Sequence, residues 1–302
     1  MSKRNPNAIR SSRGDQVFTV ICYVIATLVL LIVAYPLYFV IIASFSDPAQ
    51  VTLGRVLLLP RGFNIEGYQF ILGYKDIWTG YRNTLFYTVA GTLLNLALTL
   101  SAGYALSRKV LPGRRVLMGL LTFTMYFTGG MIPTFQVVDS LHLVNKPITM
   151  VIMGAVNVYN LIIARTFFQS NIPDELREAA QLDGCNEFNF FWRVVMPLST
   201  AIIAVLTIYY AVAHWNDYMT ALLYLRDRKL YPLQTFLREV LILDQFTETQ
   251  SLMMEKDAIR KQQMLMSMKY GVIIVSSLPV LVLYPFLQKY FVKGVMIGAI
   301  KG

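Results

Sequence analysis

The sequence predicts an all-α integral membrane protein with six transmembrane helices. Hydrophobic residues make up 56% of the 302 residues, charged residues only 15%, and the mean hydropathy is +0.52. Soluble proteins carry about 25% charged residues, so this composition excludes an ordinary soluble domain. Six intervals lack Asp, Glu, Lys and Arg, and each has, or nearly has, the roughly 20 residues that a helix needs to cross a bilayer.

The six predicted spans lie within one membrane domain over residues 17–292. They cover approximately residues 17–45, 83–107, 116–138, 147–164, 197–222 and 270–288. The apolar run from Val17 to Phe45 is much longer than the roughly 7–15 residues of a signal-peptide core, so we expect the first span to be retained as an anchor. The fourth charge-free interval is the shortest.

Basic residues cluster on one side of the predicted membrane. They are dense in the tail of residues 1–16, at Arg108-Lys109 and at Arg114-Arg115, which six spans place on the same side. Short cytoplasmic loops are enriched in Lys and Arg. We therefore expect both termini, with a tail of residues 293–302, and the loop of residues 165–196 to be cytoplasmic. The net charge of +10 is then a sign of topology and not of a nucleic-acid partner.

Prolines and small residues indicate how the spans pack. The prolines within spans predict kinks, which serve either packing, the favoured interpretation, or hinges for alternating access; they are Pro36, Pro133, Pro279 and Pro285. Small residues in the second span predict close helix approach; they are Gly91, Ala97, Ser101, Ala102, Gly103 and Ala105.

Both long outer loops contain candidate helices. The first loop predicts a short helix near Tyr68–Leu72. Apolar residues at helical spacing predict an amphipathic helix in the last loop; they are Leu233, Phe236, Leu237, Val240, Leu241 and Leu243.

The loop of residues 165–196 carries the most informative pattern. Pro173 and the acids after it suit the first turn of a helix, and Asp183-Gly184 suits its end in a left-handed turn. A second short helix is predicted from Glu187 to Arg193, and Pro197 starts the fifth span. The small apolar face of the first helix fits a groove on another protein; it contains Leu176, Ala179, Ala180 and Leu182.

This loop resembles the EAA motif of binding-protein-dependent ABC importer permeases. The matching residues are Glu178-Ala179-Ala180, Asp183-Gly184, Phe191, Val194 and Pro197. The lead from Pro173 through Glu175-Leu176 resembles the carbohydrate branch, which is MalG-like, and the pattern is most similar to its YtcP-type complex-oligosaccharide permeases. Shorter matches support it along the whole chain: Tyr35-Pro36-Leu37, Asn83-Thr84, Tyr104-Ala105-Leu106-Ser107-Arg108, Thr124-Met125, Gly129-Gly130-Met131-Ile132-Pro133, His214-Trp215-Asn216-Asp217 and Gly298-Ala299-Ile300-Lys301-Gly302.

The resemblance implies a MetI-like, type I importer fold and a non-catalytic subunit. It implies a coupling helix that docks on an ATPase through Glu178, Ala179, Ala180, Asp183, Gly184, Phe191 and Pro197, with Lys301 and Gly302 as a further contact. The implied partners are a homologous second permease in a heterodimer, two ABC ATPase subunits, an extracytoplasmic solute-binding protein and membrane lipid. ATP and Mg would be bound by the ATPase, and no cofactor by this chain, which lacks a phosphate-binding loop of the GxxxxGK[ST] type. The implied location is a bacterial plasma membrane.

Polar residues within the spans are candidates for a substrate path. They are His214, Trp215, Asn216, Asp217, Asn157 and Asn160. Polar groups at membrane depth usually face a cavity or the bundle interior. The alternatives are interfacial anchoring and capping for the first group, and interhelical hydrogen bonding for the two asparagines and Asn95.

Other functional classes fit less well. An intramembrane aspartyl protease needs two aspartates inside spans, a metalloprotease needs an HExxH motif, and a proton-coupled transporter needs embedded carboxylates; the sequence has none of these. Cys22 and Cys185 lie too far apart in the topology to suggest a disulfide. The open alternative is an ABC permease for another solute, such as an amino acid, a polyamine or a phosphonate, and the sequence does not decide which sugar, neutral or acidic, would be carried.

Overall fold

The computed structural model describes residues 12–250 and 268–282, and every regular element among them is helical. The helices are α1 Arg13–Ser44, α2 Pro48–Thr52, α3 Glu66–Gly73, α4 Lys75–Ser107, α5 Arg114–Tyr126, α6 Met131–Ser140, α7 Pro147–Ile152, α8 Val158–Asn171, α9 Asp174–Leu182, α10 Glu187–Phe190, α11 Met196–Leu198, α12 Thr200–Trp215, α13 Met219–Tyr224, α14 Leu233–Gln250 and α15 Met268–Val282. A π-helical segment, Phe191–Val195, joins α10 to α11, and a short 3₁₀ turn covers Arg228–Leu230. The all-α membrane fold predicted from the sequence is confirmed.

The helices fall into two compact units. One consists of the chain up to Phe70 with Thr247–Ile274, and the other of Ile71–Phe246 with the chain from Val275. The candidate functional residues that the structure describes all belong to the second unit.

In the first unit, α1 is a long apolar helix. It begins at a capping box in which Ser12 and Asp15 satisfy each other's backbone N–H groups, and it continues through Pro36 without ending. Its 32 residues correspond to about 48 Å, more than the roughly 30 Å of a hydrocarbon core. After α1, the ring of Phe45 stacks on Phe63, with centroids 6.0 Å apart, which fixes the start of the following loop.

In the second unit, α4 is the central helix. It packs against α7, α8 and α12. The small residues predicted to allow close approach do so at two positions: a Cβ on Gly103 would lie 2.9 Å from Cβ of Ala164 in α8, and one on Gly91 would lie 2.3 Å from Nε2 of His214 in α12. Three further small residues of α4, namely Ala97, Ser101 and Ala105, are exposed in this chain.

Three of the predicted spans are broken rather than straight. In the third, α5 and α6 meet at 114° across residues 127–130, where Gly130 has φ +86. The fourth is split between α7 and α8 by residues 153–157, where Gly154 has φ +70. In the fifth, the helical run Glu187–Leu198 and α12 meet at 82° around the buried residue Ser199. Backbone at membrane depth can leave the helix only where protein groups or water satisfy it, which sequence periodicity alone does not show.

The helix that contains the second predicted span begins at Lys75, ahead of the predicted start of the span at residue 83. By length and composition, two of the described helices, α1 and α4, can each cross a membrane alone, and up to four can if each bent pair counts as one span. The shorter apolar helix α15 covers the described part of the sixth predicted span. The predicted tail of residues 293–302, with Lys301 and Gly302, and Pro285 lie outside the described residues.

The loop after the fifth predicted span contains the predicted amphipathic helix, which is α14. Leu233, Phe236 and Val240 are its buried apolar residues. The start of α4 holds the chain that leads into α14, because Thr84 Oγ1 accepts a 2.8 Å hydrogen bond from the Leu233 N–H and Asn83 Nδ2 donates to the carbonyl of Lys229 at 2.7 Å.

Candidate functional site: the coupling loop and the polar cavity

The helix predicted to dock on another protein is α9. Pro173 precedes it in an extended conformation, and Asp174 and Glu175 occupy its first turn, where carboxylates interact favourably with the helix dipole. None of its residues is buried. The helix ends at Leu182, before the Asp183-Gly184 pair, as the sequence predicts.

The end of α9 is a Schellman motif, which explains the need for glycine. Gly184 has φ +75; its N–H donates to the carbonyl of Gln181 at 3.0 Å, and the N–H of Cys185 donates to the carbonyl of Ala180 at 2.9 Å. A residue with a side chain adopts this left-handed conformation at a cost of about 1 kcal/mol or more. A Cβ on Gly184 would have nothing within 4 Å, so the position faces open space.

The predicted docking residues divide into an exposed group and an anchoring group. Glu178, Ala179, Asp183, Gly184 and Pro197 are exposed. Ala180 and Phe191 instead pack partly buried against an apolar cluster. That cluster includes Tyr104 of α4, Phe168 of α8 and Leu206 of α12, among other residues. The loop is therefore held to the helical bundle through Ala180 and Phe191, while Glu178 and Ala179 of the EAA motif are exposed.

Large apolar side chains extend the exposed surface. Leu182 is 90% exposed, Phe188 71% and Trp192 53%. A group of exposed apolar residues beside charged ones is typical of a protein interface. Trp192 belongs to the π-helical segment, a rare conformation that is frequent at functional sites, where the sequence had predicted a plain helix up to Arg193.

Polar contacts that the sequence analysis missed tie the loop to α4. The carboxylate of Glu187 accepts hydrogen bonds from Arg177 (3.0 Å), Gln181 (3.2 Å) and the hydroxyl of Tyr104 (3.2 Å). The hydrogen bond to Glu187 raises the pKa of the Arg177 guanidinium above its ordinary value. The one signal in the sequence for these contacts is that acidic and basic residues lie close together in this loop.

A second ion pair joins the first residue of α9 to the end of α4. Arg108 lies 3.3 Å from Asp174, and its guanidinium also covers the ring of Tyr104 at 4.5 Å. The side chain of Arg108 is 12% exposed and that of Asp174 is 47% exposed, so the contact is shielded from solvent on the arginine side only.

A cavity of about 880 Å³ lies in the second unit, lined by α4, the segment between α7 and α8, α8, α12 and the start of α13. Its lining consists of Asn95, Met153, Gly154, Asn157, Tyr159, Asn160, Ile208, Tyr209, Tyr210, Val212, Ala213, His214, Asp217 and Thr220. The only charged side chain in that lining, among the residues that the structure describes, is Asp217. Amides, hydroxyls and one carboxylate offer both hydrogen-bond donors and acceptors.

Four of the six candidate path residues line this cavity, and two do not. His214, Asp217, Asn157 and Asn160 lie in its wall. The indole of Trp215 is instead buried, 6% exposed, and its N–H donates to the carbonyl of Ser276 at 3.0 Å. Trp215 therefore packs inside the bundle, whereas the sequence left a substrate path and interfacial anchoring or capping as its interpretations.

The polar residues of the wall also hold the bundle together. Asn216, which does not line the cavity, is exposed and donates to the carbonyl of Val212 in its own helix. Asn157 caps α8 by accepting from the N–H of Asn160 at 3.1 Å, and Asp217 accepts from the N–H of Thr220 at 3.0 Å. The hydroxyls of Thr99 and Tyr210 lie 2.7 Å apart and link α4 to α12. The lining is thus fixed by hydrogen bonds rather than left mobile.

Comparisons with known proteins agree with this geometry. Residues 7–297 match the family described as binding-protein-dependent transport system inner membrane component. The chain is 39% identical over 288 residues to the polygalacturonan/rhamnogalacturonan transport system permease protein YtcP of Bacillus subtilis strain 168, covering 95% of this chain and 99% of that protein. It is also 39% identical over 267 residues to protein LplC of the same strain, covering 88% of this chain and 89% of LplC.

A solved structure supports the same assignment. The crystal structure of a bacterial ABC transporter involved in the import of the acidic polysaccharide alginate contains a chain 33% identical to this one, with a TM-score of 0.83; the match covers 94% of this chain and all of that one. The chain therefore belongs to the family of binding-protein-dependent transport system inner membrane components, as a non-catalytic permease subunit of an ABC importer in a bacterial cell membrane.

Proposed function

We propose that this chain is the transmembrane subunit of an ATP-driven, binding-protein-dependent importer for oligosaccharides. It forms half of the translocation pathway in a heterodimer with a homologous permease. Two ABC ATPase subunits, which hold ATP and Mg, sit on the cytoplasmic side, and an extracytoplasmic solute-binding protein delivers the substrate. The chain itself binds no cofactor and no nucleic acid.

The exposed coupling helix is the observation that carries this proposal. Glu178 and Ala179 are exposed on α9, and Leu182, Phe188 and Trp192 are exposed on the same loop, which Ala180 and Phe191 anchor to the bundle. Apolar groups that are 53–90% exposed at a loop gain stability when a partner covers them. An ATPase groove lined by apolar and basic residues would cover them and pair with Glu178.

The cavity supports a hydroxyl-rich solute. Sugar hydroxyls both donate and accept hydrogen bonds, and Asn160, Tyr210 and Asp217 supply both kinds of partner. Its volume of about 880 Å³ lies within the roughly 300–1,000 Å³ usual for ligand sites. The named relatives that transport polygalacturonan or rhamnogalacturonan, and alginate, favour a saccharide over an amino acid, a polyamine or a phosphonate.

The topology follows from the docking side. With the coupling loop facing the ATPase, both termini are cytoplasmic, and the carboxyl-terminal residues Lys301 and Gly302 reach the ATPase interface. The outer loops then contact the binding protein. ATP binding closes the ATPases and draws the coupling helices together, which favours an outward-facing arrangement of the bundle.

The proposal is tested by purifying the chain from its native host in detergent and identifying its partners by mass spectrometry. We expect an ABC ATPase, a second permease of similar size and a solute-binding protein. The binding protein is then screened by calorimetry with neutral and uronic-acid oligosaccharides. Recovery of the chain without an ATPase would contradict the proposal, and a binding protein that takes amino acids or polyamines instead of saccharides would correct its substrate.

A further inference from the structure

We propose that Glu187 is a positioning residue that makes the coupling helix α9 and the central helix α4 move as one body. The inference rests on the proposed function, because it requires an ATPase that displaces α9. It concerns a residue outside the EAA docking set, whose carboxylate contacts the permease bundle through the hydroxyl of Tyr104.

One carboxylate bridges the two helices. The Oε1 atom of Glu187 lies 3.0 Å from Nη1 of Arg177 and 3.2 Å from Nε2 of Gln181. Its Oε2 atom lies 3.2 Å from the hydroxyl of Tyr104. Arg177 and Gln181 are four residues apart, so they share one face of α9. Glu187 therefore holds one face of the coupling helix with one oxygen and α4 with the other.

A second contact fixes the direction of α9 as well as its position. Arg108, just after the end of α4, pairs with Asp174 at the first residue of α9. Asp174 and Gln181 lie nearly two helical turns apart along α9. Contacts at both positions resist rotation of the helix as well as its translation. The arginines are mostly buried, with Arg177 19% and Arg108 12% exposed, whereas the carboxylates of Glu187 and Asp174 are 53% and 47% exposed, so solvent reaches one partner of each pair.

The central helix connects this point to the cavity. Tyr104 also packs against Phe168 of α8, with ring centroids 5.9 Å apart, and against Phe191 at 5.1 Å. On the same uninterrupted helix, about 14 Å away, Asn95 lines the cavity and contacts His214. A displacement of α9 that α4 follows would therefore reach the cavity wall through a single rigid element.

Hydrogen–deuterium exchange on the assembled permease–ATPase complex in nanodiscs tests the inference. Exchange is compared without nucleotide and with Mg-ATP plus orthovanadate, in peptides covering α9 and the end of α4. In the native complex we expect both peptides to respond. In Glu187→Gln, exchange in the α9 peptide still changes with nucleotide. The change at the end of α4 falls by about threefold or more, because the local unfolding of α4 is then no longer linked to that of α9.

Two further variants guard against misfolding. Tyr104→Phe removes one hydroxyl and keeps the ring packing, and we expect the same loss at α4. The double variant Arg177→Glu/Glu187→Arg keeps an ion pair within the loop but removes the carboxylate that accepts from the Tyr104 hydroxyl, so the α9 peptide should respond while the response at α4 stays low. Glu66→Gln, an exposed carboxylate in α3, serves as the charge-matched control and should respond as the native complex does.

The outcomes separate the two proposals. A response at α4 that persists in both Glu187→Gln and Tyr104→Phe would overturn the role of Glu187, as would a native complex in which α9 responds and α4 does not. A preparation that contains no ATPase would overturn the proposed function together with this inference.

Discussion

The Nε2 atom of His214 lies 2.8 Å from the Oδ1 atom of Asn95, which joins α12 to α4 at the wall of the cavity. The amide nitrogen of the same asparagine donates to the carbonyls of Gly154 and Ala155, at 3.0 and 3.1 Å. Asn95 thus satisfies the backbone where the fourth span is broken. One side chain, 1% exposed, holds three segments around the cavity.

Replacing Asn95 by Leu should destabilise the protein by about 1–3 kcal/mol, because it leaves the two carbonyls of the break without a donor. Thermal unfolding of the purified chain in detergent measures the effect. Asn216→Leu is the matched control, since that amide is exposed and bonds only within its own helix. Equal melting temperatures for the two variants would contradict the role of Asn95.

Gly91→Ala should also be destabilising, by about 1–3 kcal/mol, because the added Cβ would lie 2.3 Å from the ring of His214 and force it away from Asn95. Gly119→Ala is the control: its Cβ would have nothing within 4 Å in α5, so helix propensity makes it neutral or stabilising. Saccharide import in cells and thermal unfolding would both show the difference. A Gly91→Ala variant as stable as the control would show that α4 and α12 can move apart at this position without a loss of stability.

Gly184→Asp should abolish transport and stimulated ATP hydrolysis while leaving the protein folded in the membrane. The added side chain meets open space in the chain itself, so its effect would fall on the docking surface. Gly113→Asp tests this reasoning, because Gly113 also has a left-handed φ, +73, and open space around it, but lies in the turn before α5. Normal transport by Gly184→Asp, or equal loss in both variants, would argue against docking through α9.

Glu178→Lys should likewise block coupling, since it reverses the charge of an exposed residue at the centre of α9. The measurement is co-purification of the ATPase together with ATP hydrolysis stimulated by the loaded binding protein. We expect the assembled complex to lose stimulation before it loses subunits. Full stimulation in this variant would remove Glu178 from the docking surface.

Asp217→Asn should lower saccharide uptake about tenfold, because a hydrogen bond to a charged group contributes roughly 1.5–3 kcal/mol. The change keeps the side-chain size and the acceptor for the Thr220 N–H while removing the charge that faces the cavity. Asp139→Asn, an exposed carboxylate of α6, is the control. Uptake that is unchanged in Asp217→Asn would place the substrate away from this wall.

Local patterns account for much of what could be predicted. The helix α9, its end at Asp183-Gly184 and the close approach of α4 at Gly91 and Gly103 follow from residue types a few positions apart, whose conformational preferences act over single turns. The family resemblance of the loop is likewise a short-range pattern, and the comparisons confirm it. The existence of these helices could therefore be predicted, whereas the break in the fourth span could not, because Asn95, distant in sequence, donates to its backbone carbonyls.

By itself, the sequence determined a membrane-embedded helical protein, because hydropathy and glycine placement act locally, and the resemblance of its EAA loop indicated a permease. The tertiary structure alone decided which polar residues face the cavity. It turned Trp215 towards Ser276 and joined His214 to Asn95, 119 residues away along the chain. It also joined Glu187 to Tyr104, 83 residues away. Such pairs form only when helices that are distant in sequence pack together, and no periodicity within one helix specifies its partner.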